Sequence, residues 1–293
     1  MAANKVVFGG NTIIDLTGDN VTAADVTAGV LFHLPNGEQA VGTSSGSRTP
    51  SISDISYTGT MQVLEDNDDV WEVAFLTSGT LTVPNIIQID AFLLGGGGGG
   101  GYTVNTTLTL AAGSYPIVIG NGGNANTDGE DTSAFSITAN GGKKGGSSNT
   151  VSGIAGGAGG SGGGGGASSN GNTPGTGGSD GANGASGQTY RGPGGTGQGL
   201  STRAYGEASN TLYAGGGGGG GSRNTAGSSS NGASGGNGGG ANGGNVANKG
   251  SDAAVNTGGG GGGGGCRNAT NTSPGAGGKG GSGIVRIRTH RVS

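Results

Sequence analysis

"AFLLGGGGGGGYTV", residues 91–104, sets seven consecutive glycines directly after four apolar residues. The apolar residues end the run "IQIDAFLL", whose composition and alternation predict a strand. The glycines have no side chains to bury, so anything they build must be held by backbone hydrogen bonds. Two outcomes are open. A Gly/Ser tract ordinarily behaves as a flexible linker, because ordering costs about 1–2 kcal/mol per residue and side-chain burial cannot offset that here. The other outcome is a set of polyproline-II-type helices laid side by side, with three residues per turn, no internal hydrogen bonds and outward N–H and C=O groups. At about 3.1 Å per residue, a seven-glycine run would continue the line of the strand for about 22 Å. The tract lacks the Lys, Glu, Gln and Pro enrichment of solvated disorder, which favours the ordered outcome.

Composition limits what the rest of the protein can be. Of 293 residues 79 are glycine and only 29% are apolar, too little for one large oily core. Seven prolines and irregular glycine spacing exclude a collagen register. The net charge is −4, and no basic cluster exceeds Lys143 and Lys144. No nucleic-acid partner is therefore expected. A single cysteine, Cys266, excludes an internal disulfide. No apolar run approaches the ~20 residues of a membrane span, and "MAANKVVFGGNTIIDL" has no signal-peptide core. Synthesis in a cytoplasm without a signal peptide, and no membrane insertion, are the expectations.

Glycine divides the sequence sharply. Nine of the 79 glycines precede Gly95 and the other 70 lie between Gly95 and Gly283. Residues 1–45 read as a small β-rich module, with hairpin turns at "FGGN" and "LPNGE" and one short helix over residues 22–29, capped by Thr22 and stopped by Gly29. The Ser/Thr/Pro-rich residues 46–59 read as a linker. Residues 60–94 form a β-strand framework, with "VWEVAFL" and "IQIDAFLL" as strands and "TSG" and "VPN" as turns. Residues 95–283 are the glycine tract, with further strand signals at "TLTLAAGSYPIVIG" and "SAFSITANGG". Its structural runs are Gly95–Gly101, Gly162–Gly166, Gly215–Gly221 and Gly258–Gly265. Residues 284–293 carry a last strand signal, "SGIVRIRTHRV" leading into it. A strand that returns to pair near "IQIDAFLL" would close the tract into a domain. The expected fold is mainly β plus polyglycine-II helices, with little α-helix.

Sites of chemistry are sparse. No Walker loop is present, and where glycine is this abundant, matches to G-x-G-x-x-G carry no information. "NANTDGED" places Asn124, Asn126, Asp128 and Gly129 like the start of a calcium loop, but position twelve is Phe135, so a hairpin turn is the better reading. Glu65, Asp66, Asp68 and Asp69 cluster in a stretch that reads as a solvated turn. His33 and His290 stand apart with no nucleophile motif nearby. No catalytic residue, metal site or cofactor is expected, and the protein is read as a non-enzyme.

The stretch "VAFLTSGTLTVPNIIQIDAFLLGGGGGGG", followed by a Gly/Asn tract and closed by "GGSGIVRIR", resembles the glycine-rich domain of phage tail proteins, over about residues 70–288. Related polyglycine lattices occur in distal tail-fibre adhesins of T-even-like phages and in the extracellular part of anaplastic lymphoma kinase. The cysteines of the latter are lacking here. Separately, residues 11–43, "NTIIDLTGDNVTAADVTAGVLFHLPNGEQAVGT", resemble a short module of tail and fibre proteins from phages and prophages of Gram-positive bacteria. The resemblance implies a virion protein of the tail, fibre or baseplate. Residues 1–45 would attach it to other virion proteins, in several copies, and polar loops on a rigid glycine scaffold would recognise a host receptor, protein or glycan. Tyr190, Arg191, Arg203, Tyr205, Tyr213, Arg223 and Arg267 are the receptor-contact candidates, because aromatic and guanidinium groups give contact area in polar loops. A purely structural or decorating virion protein, a head, neck or tail spacer without receptor binding, is the alternative.

Overall fold

Unlike the glycine tract, the alternating segments on either side of Gly95 have side chains enough for a core, and they form it together. The computed structural model describes residues 5–8, 11–15, 22, 31–34, 38–41, 51–67, 70–145, 155–164, 202–221, 231–265 and 275–290. The protein divides into two units, Met1–Thr49 and Pro50–Ser293. In the first, β1 (Lys5–Phe8) pairs antiparallel with β2 (Asn11–Asp15), with Phe8 opposite Asn11 across the predicted turn. There too β3 (Leu31–His33) pairs with β4 (Gln39–Val41), and the Leu34 N–H donates to the Glu38 carbonyl at 2.8 Å. The helix expected over residues 22–29 lies, Thr22 apart, outside the described residues.

The second unit is built on two five-stranded antiparallel sheets. Its strands are β5 (Ser56–Tyr57), β6 (Met61–Asn67), β7 (Val70–Phe75), β8 (Gly79–Val83), β9 (Ile87–Leu94), β10 (Thr103–Leu110), β11 (Gly113–Val118), β12 (Thr132–Ala134), β13 (Ile137–Ala139) and β14 (Ile284–Thr289). One sheet has the order β10-β9-β14-β7-β6 and the other β13-β12-β11-β8-β5. Every second side chain of the first sheet, Trp71, Val73 and Phe75, Ile89, Ala91 and Leu93, and Val285 and Ile287, meets Leu81, Val83, Ile117, Ala134 and Ala139 of the second in one buried cluster. This is the period-two burial of a sandwich. The returning strand does pair where expected: β14 runs antiparallel to β9, Ile284 opposite Leu94, and sits between β9 and β7.

Three expectations are corrected. Residues 51–57 are not linker: Ile52, in the 3-10 turn Ile52–Asp54, and Tyr57 pack against the core, Ile55 is buried in it, and β5 pairs with β8. The framework is not confined to residues 60–94, since β10 to β14 complete both sheets. Nor do Gly95–Gly101 continue the line of β9. Leu94 and Thr103 are partners in the β9–β10 ladder and the Gly95 N–H donates to the Tyr102 carbonyl at 3.0 Å, so the run is the returning tip of a hairpin. Each of its residues meets a different segment: Gly96 N–H bonds Glu130 O at 2.9 Å, Gly97 N–H bonds Gly281 O at 2.9 Å, Gly100 N–H bonds Ser161 O at 2.9 Å, and Gly101 N–H bonds Gly258 O at 2.7 Å.

The β9–β10, β11–β12 and β13–β14 connections therefore leave the sandwich together. They interlock: Gly123 N–H reaches Gly97 O at 2.8 Å, Gly280 N–H reaches Gly123 O at 2.9 Å, and Gly283 N–H reaches Gly120 O at 2.9 Å. Further along the tract the bonding becomes periodic. The N–H groups of Gly215, Gly218 and Gly221 donate to the carbonyls of Gly238, Ala241 and Gly244. Those of Ala241 and Gly244 donate to Gly260 and Gly263, whose own N–H groups donate back to Gly215 and Gly218. Three segments running in the same direction thus close a ring, and the donors follow one relay, 221 to 244 to 263 to 218 to 241 to 260 to 215 to 238. A step of three residues along every segment is the repeat of a helix with three residues per turn. Antiparallel neighbours add to it, Gly236 and Ala233 donating to Gly216 and Gly219, and Gly281 and Gly278 to Gly259 and Gly262. A Cβ built on Gly259, Gly262 or Gly265 would lie far inside 3.0 Å of the carbonyl oxygen of Gly239, Asn242 or Asn245, again with period three.

Candidate functional site

The strands that fill the core with one face carry charges on the other. In "VWEVAF", "IQIDAFLL" and "IVRIR" the charged residues out of phase with the core are Glu72, Asp90, Arg286 and Arg288, alongside apolar Ala74, Phe92, Leu94 and Ile284. Register places Arg288 directly opposite both Glu72 on β7 and Asp90 on β9. A tight loop, residues 202–214, covers this face. It is closed by the Tyr213 N–H bonding Thr202 O at 2.9 Å and contains a 3-10 turn at Ala204–Gly206, where Tyr205 adopts φ 57°. Ala204, Tyr213 and Ala214 pack on Ala74, Phe92, Leu94 and Ile284, the Tyr213 ring lying 5.1 Å from that of Phe92.

The polar groups under the loop satisfy one another. Arg286 Nε donates to Glu72 Oε1 at 2.7 Å and its Nη2 pairs with the same oxygen. The Tyr205 hydroxyl donates to Glu72 Oε1 at 2.9 Å, and Arg286 Nη1 donates to the Tyr213 hydroxyl at 3.2 Å. Arg288 Nε donates to Asp90 Oδ2 at 3.1 Å, and its two Nη groups clasp Glu207 at 3.1 and 2.5 Å. The Arg288 guanidinium also sits over the Tyr205 ring, 4.1 Å from its centre. Asp90 further accepts from Thr107 Oγ1 at 2.8 Å and lies 2.7 Å from His290 Nδ1.

The same contacts set the ionisation of these groups. Burial opposes the charge on Asp90, but the bonds with His290, Thr107 and Arg288 outweigh it and hold its carboxyl below the usual value. Burial likewise opposes the charge on Arg288, and Glu207 and Asp90 override it and raise its pKa. Burial, reinforced by the Glu72 carboxylate, pushes the Tyr205 phenol far up, so it remains a hydrogen-bond donor.

Three of the receptor-contact candidates therefore have internal partners. Tyr213 is only 7% exposed, its ring and hydroxyl both engaged. Half-buried Tyr205 bonds Glu72, and Arg203 Nη1 donates to Asn210 O at 2.6 Å. Tyr190, Arg191, Arg223, Arg267 and Gly166 lie outside the described residues. Glu72, Asp90, Glu207, Arg286 and Arg288, the residues that organise this face, were not singled out from the sequence. For Glu72, Asp90, Arg286 and Arg288 the signal is a charge at the off-phase position of an otherwise buried strand, repeated on three strands; Glu207, in the loop, has none.

The tract presents polar turns. At residues 124–128 Thr127 N–H bonds Asn124 O at 3.0 Å, and both Asp128 oxygens are taken, by the Lys144 N–H at 2.8 Å and by Lys143 Nζ at 3.2 Å. The backbone bond from Lys144 is the main reason the Asp128 carboxyl lies below its usual value. The resemblance of "NANTDGED" to a calcium loop thus ends in a turn whose acid faces two lysines. A second exposed cluster joins Lys249 Nζ and the Lys279 N–H to Asp252 Oδ1 at 2.8 and 2.7 Å. No group of three or more His, Cys, Asp or Glu side chains able to hold a metal occurs among the described residues. No helix among the described residues is long and apolar enough to cross a membrane. An opening of about 290 Å³ lies between glycine segments, its wall formed largely by backbone at Gly98, Gly123, Gly157, Gly219, Gly262 and Gly277.

No curated protein and no solved structure matches this sequence. The family described as glycine-rich domain matches residues 85–290, most of the protein, and the chain belongs to that family.

Proposed function

We propose that the glycine array is a bundle of polyglycine-II helices and that it serves a phage or prophage tail protein as a rigid platform for non-enzymatic recognition of the bacterial surface. The observation that carries this reading is the three-residue relay of backbone bonds with no room for Cβ atoms. A scaffold held that way tolerates change in the polar turns between its helices, as loops on other rigid scaffolds do. Exposed Asn, Ser and Lys groups in turns such as 124–128 and 245–252 offer hydrogen-bonding surface to a protein or glycan. Residues 1–45 would attach the protein to tail, fibre or baseplate proteins, in several copies, so that weak contacts add by avidity. Saturable binding of the labelled full-length protein to intact Gram-positive cells, displaced by unlabelled protein, is the expected result. Absence of binding across a broad panel of such cells would refute it. The internal engagement of Tyr205 and Tyr213 favours a second reading, a structural virion spacer, which predicts resistance to proteases without cell binding.

A further inference from the structure

Asparagine followed by glycine is a chemically labile pair, because glycine has no side chain to hinder attack by its nitrogen on the Asn side chain. The Gly nitrogen, once it loses its proton to base, attacks the Asn Cγ; the new C–N bond forms as the C–NH2 bond breaks and ammonia leaves. Water then opens the cyclic imide at either carbonyl, giving aspartate or isoaspartate, with no change of oxidation state. The reaction needs a Gly N–H that is not held in a hydrogen bond and an Asn side chain able to swing onto the backbone.

Five such pairs fall among the described residues, beginning at Asn121, Asn140, Asn231, Asn237 and Asn242. Four are restrained. The Gly141 N–H donates to Asp131 Oδ1 at 2.8 Å, and the Gly232 N–H to Asn245 Oδ1 at 2.9 Å. At Asn242 the Gly243 N–H donates to Ala233 O at 2.9 Å, and the Asn242 Oδ1 itself accepts from the Gly235 N–H at 3.0 Å. Asn121 is tied through Nδ2 and its own N–H to Glu130 Oε2, at 2.9 and 3.2 Å. Asn237 differs. It is exposed at the start of the turn 237–239, neither its amide nor the Gly238 N–H makes a hydrogen bond to a described residue, and Gly238 takes φ 89°.

We infer that Asn237 is a site of spontaneous deamidation and isoaspartate formation, while the array protects the other four. The position has a structural consequence. The Gly238 carbonyl accepts from Gly215 at 2.9 Å and ends the relay through the three parallel segments. Aspartate at 237 adds a charge and leaves the backbone unchanged. Isoaspartate inserts a backbone atom directly before Gly238 and shifts that end of the relay.

Incubation of the folded full-length protein at mildly alkaline pH, followed by peptide mapping that separates Asn, Asp and isoAsp, tests this. Conversion at Asn237 should outrun that at Asn140 and Asn242 by about tenfold or more, the factor expected when one or two bonds must open first. In guanidinium the three sites should react at similar rates. Comparable rates in the folded protein, or an inert Asn237 that reacts once the protein is unfolded, would overturn the inference. An Asn237→Ser variant should lose the reactive peptide and keep the slow ones.

Discussion

Gly217 lies in the run Gly215–Gly221, buried, and replacing it by alanine adds one methyl group where a Cβ would overlap the Gly261 carbonyl, far inside 3.0 Å. The neighbour is backbone and cannot rotate away, so the two segments must part by roughly 1 Å to reach ordinary C···O contact. The bonds on either side of the overlap, Gly260 N–H to Gly215 O at 2.8 Å and Gly263 N–H to Gly218 O at 2.9 Å, would then stretch beyond useful length. Each forfeits about 1 kcal/mol net, and up to about 3 where the buried groups stay unsatisfied, so the loss is on the order of 2–6 kcal/mol. For a domain of this size that lowers Tm by roughly 5–20 °C. Gly277→Ala is the matched control: its Cβ would meet Gly262 O at 3.7 Å and the Ala125 Cβ at 3.8 Å, and its φ is not positive. That variant should be neutral, or gain about 0.4–1 kcal/mol from a stiffer unfolded state. Thermal unfolding of both full-length variants by tryptophan fluorescence, which reports on the buried Trp71, decides the matter. If Gly217→Ala and Gly277→Ala melt within about 2 °C of one another, the close-packed array is wrong.

Arg286→Met should cost about 3–5 kcal/mol in denaturant unfolding because it strands Glu72, 8% exposed, without its cation, whereas the Arg286→Met, Glu72→Gln pair should recover part of the loss. Asp90 has a folded pKa below its unfolded value, so its contribution is fully present above the unfolded pKa and is lost as pH falls through the folded one. Asp90→Asn should therefore flatten the acid limb of a Tm-versus-pH curve below about pH 4 and lower Tm near neutrality. Ser161 buries a hydroxyl whose oxygen finds no partner among the described residues, so Ser161→Ala should leave Tm unchanged or raise it by a few degrees, about 1 kcal/mol in chemical denaturation.

The strands were legible because their side chains announce a face. "IQIDAFLL" is β9 to the residue, and "GIVRIR" yields a strand that pairs beside it after nearly two hundred intervening residues. What the sequence hid follows from the same physics. The path of Gly95–Gly101 is set by which segments surround it, and glycines alone do not distinguish a straight run from a returning tip. Ile52, Ile55 and Tyr57 sit in a stretch whose Ser and Pro content resembles a linker, and their uneven spacing, across a 3-10 turn and a two-residue strand, gives no periodic signal. Phe135 and Ser136, both at positive φ, split what reads as one strand signal into the hairpin of β12 and β13. Tyr205 and Tyr213 suggested a contact surface by composition, but their partners Glu72, Arg286 and Arg288 are far away in sequence, so their internal role depends on the register of the strands that carry them.

The sandwich and the glycine array solve each other's problem. The segments 215–221, 238–244 and 258–265 carry almost no side chains to set their register, Ala241 and Asn242 apart, while their backbone bonds repeat every three residues. Within the ring only the Asn242 side chain makes a specific bond, accepting from the Gly235 N–H, so most of the register must be fixed outside it. The array enters at Asn140, directly after β13, and leaves at Gly283, directly before β14, and those strands belong to opposite sheets of one core. Asn256 adds a pin where the last glycine run begins: its Nδ2 donates to Leu76 O and to Gly283 O, both at 2.9 Å, and its N–H donates to Ser282 Oγ at 2.9 Å. The side chains that a polyglycine segment lacks are thus supplied at its ends, where a few specific contacts fix a register that the repeating interior then propagates. On this view replacement of Asn256 by alanine perturbs the register of the glycine runs more than its own three bonds suggest, whereas a polar substitution in an exposed turn alters the surface and leaves the repeat intact.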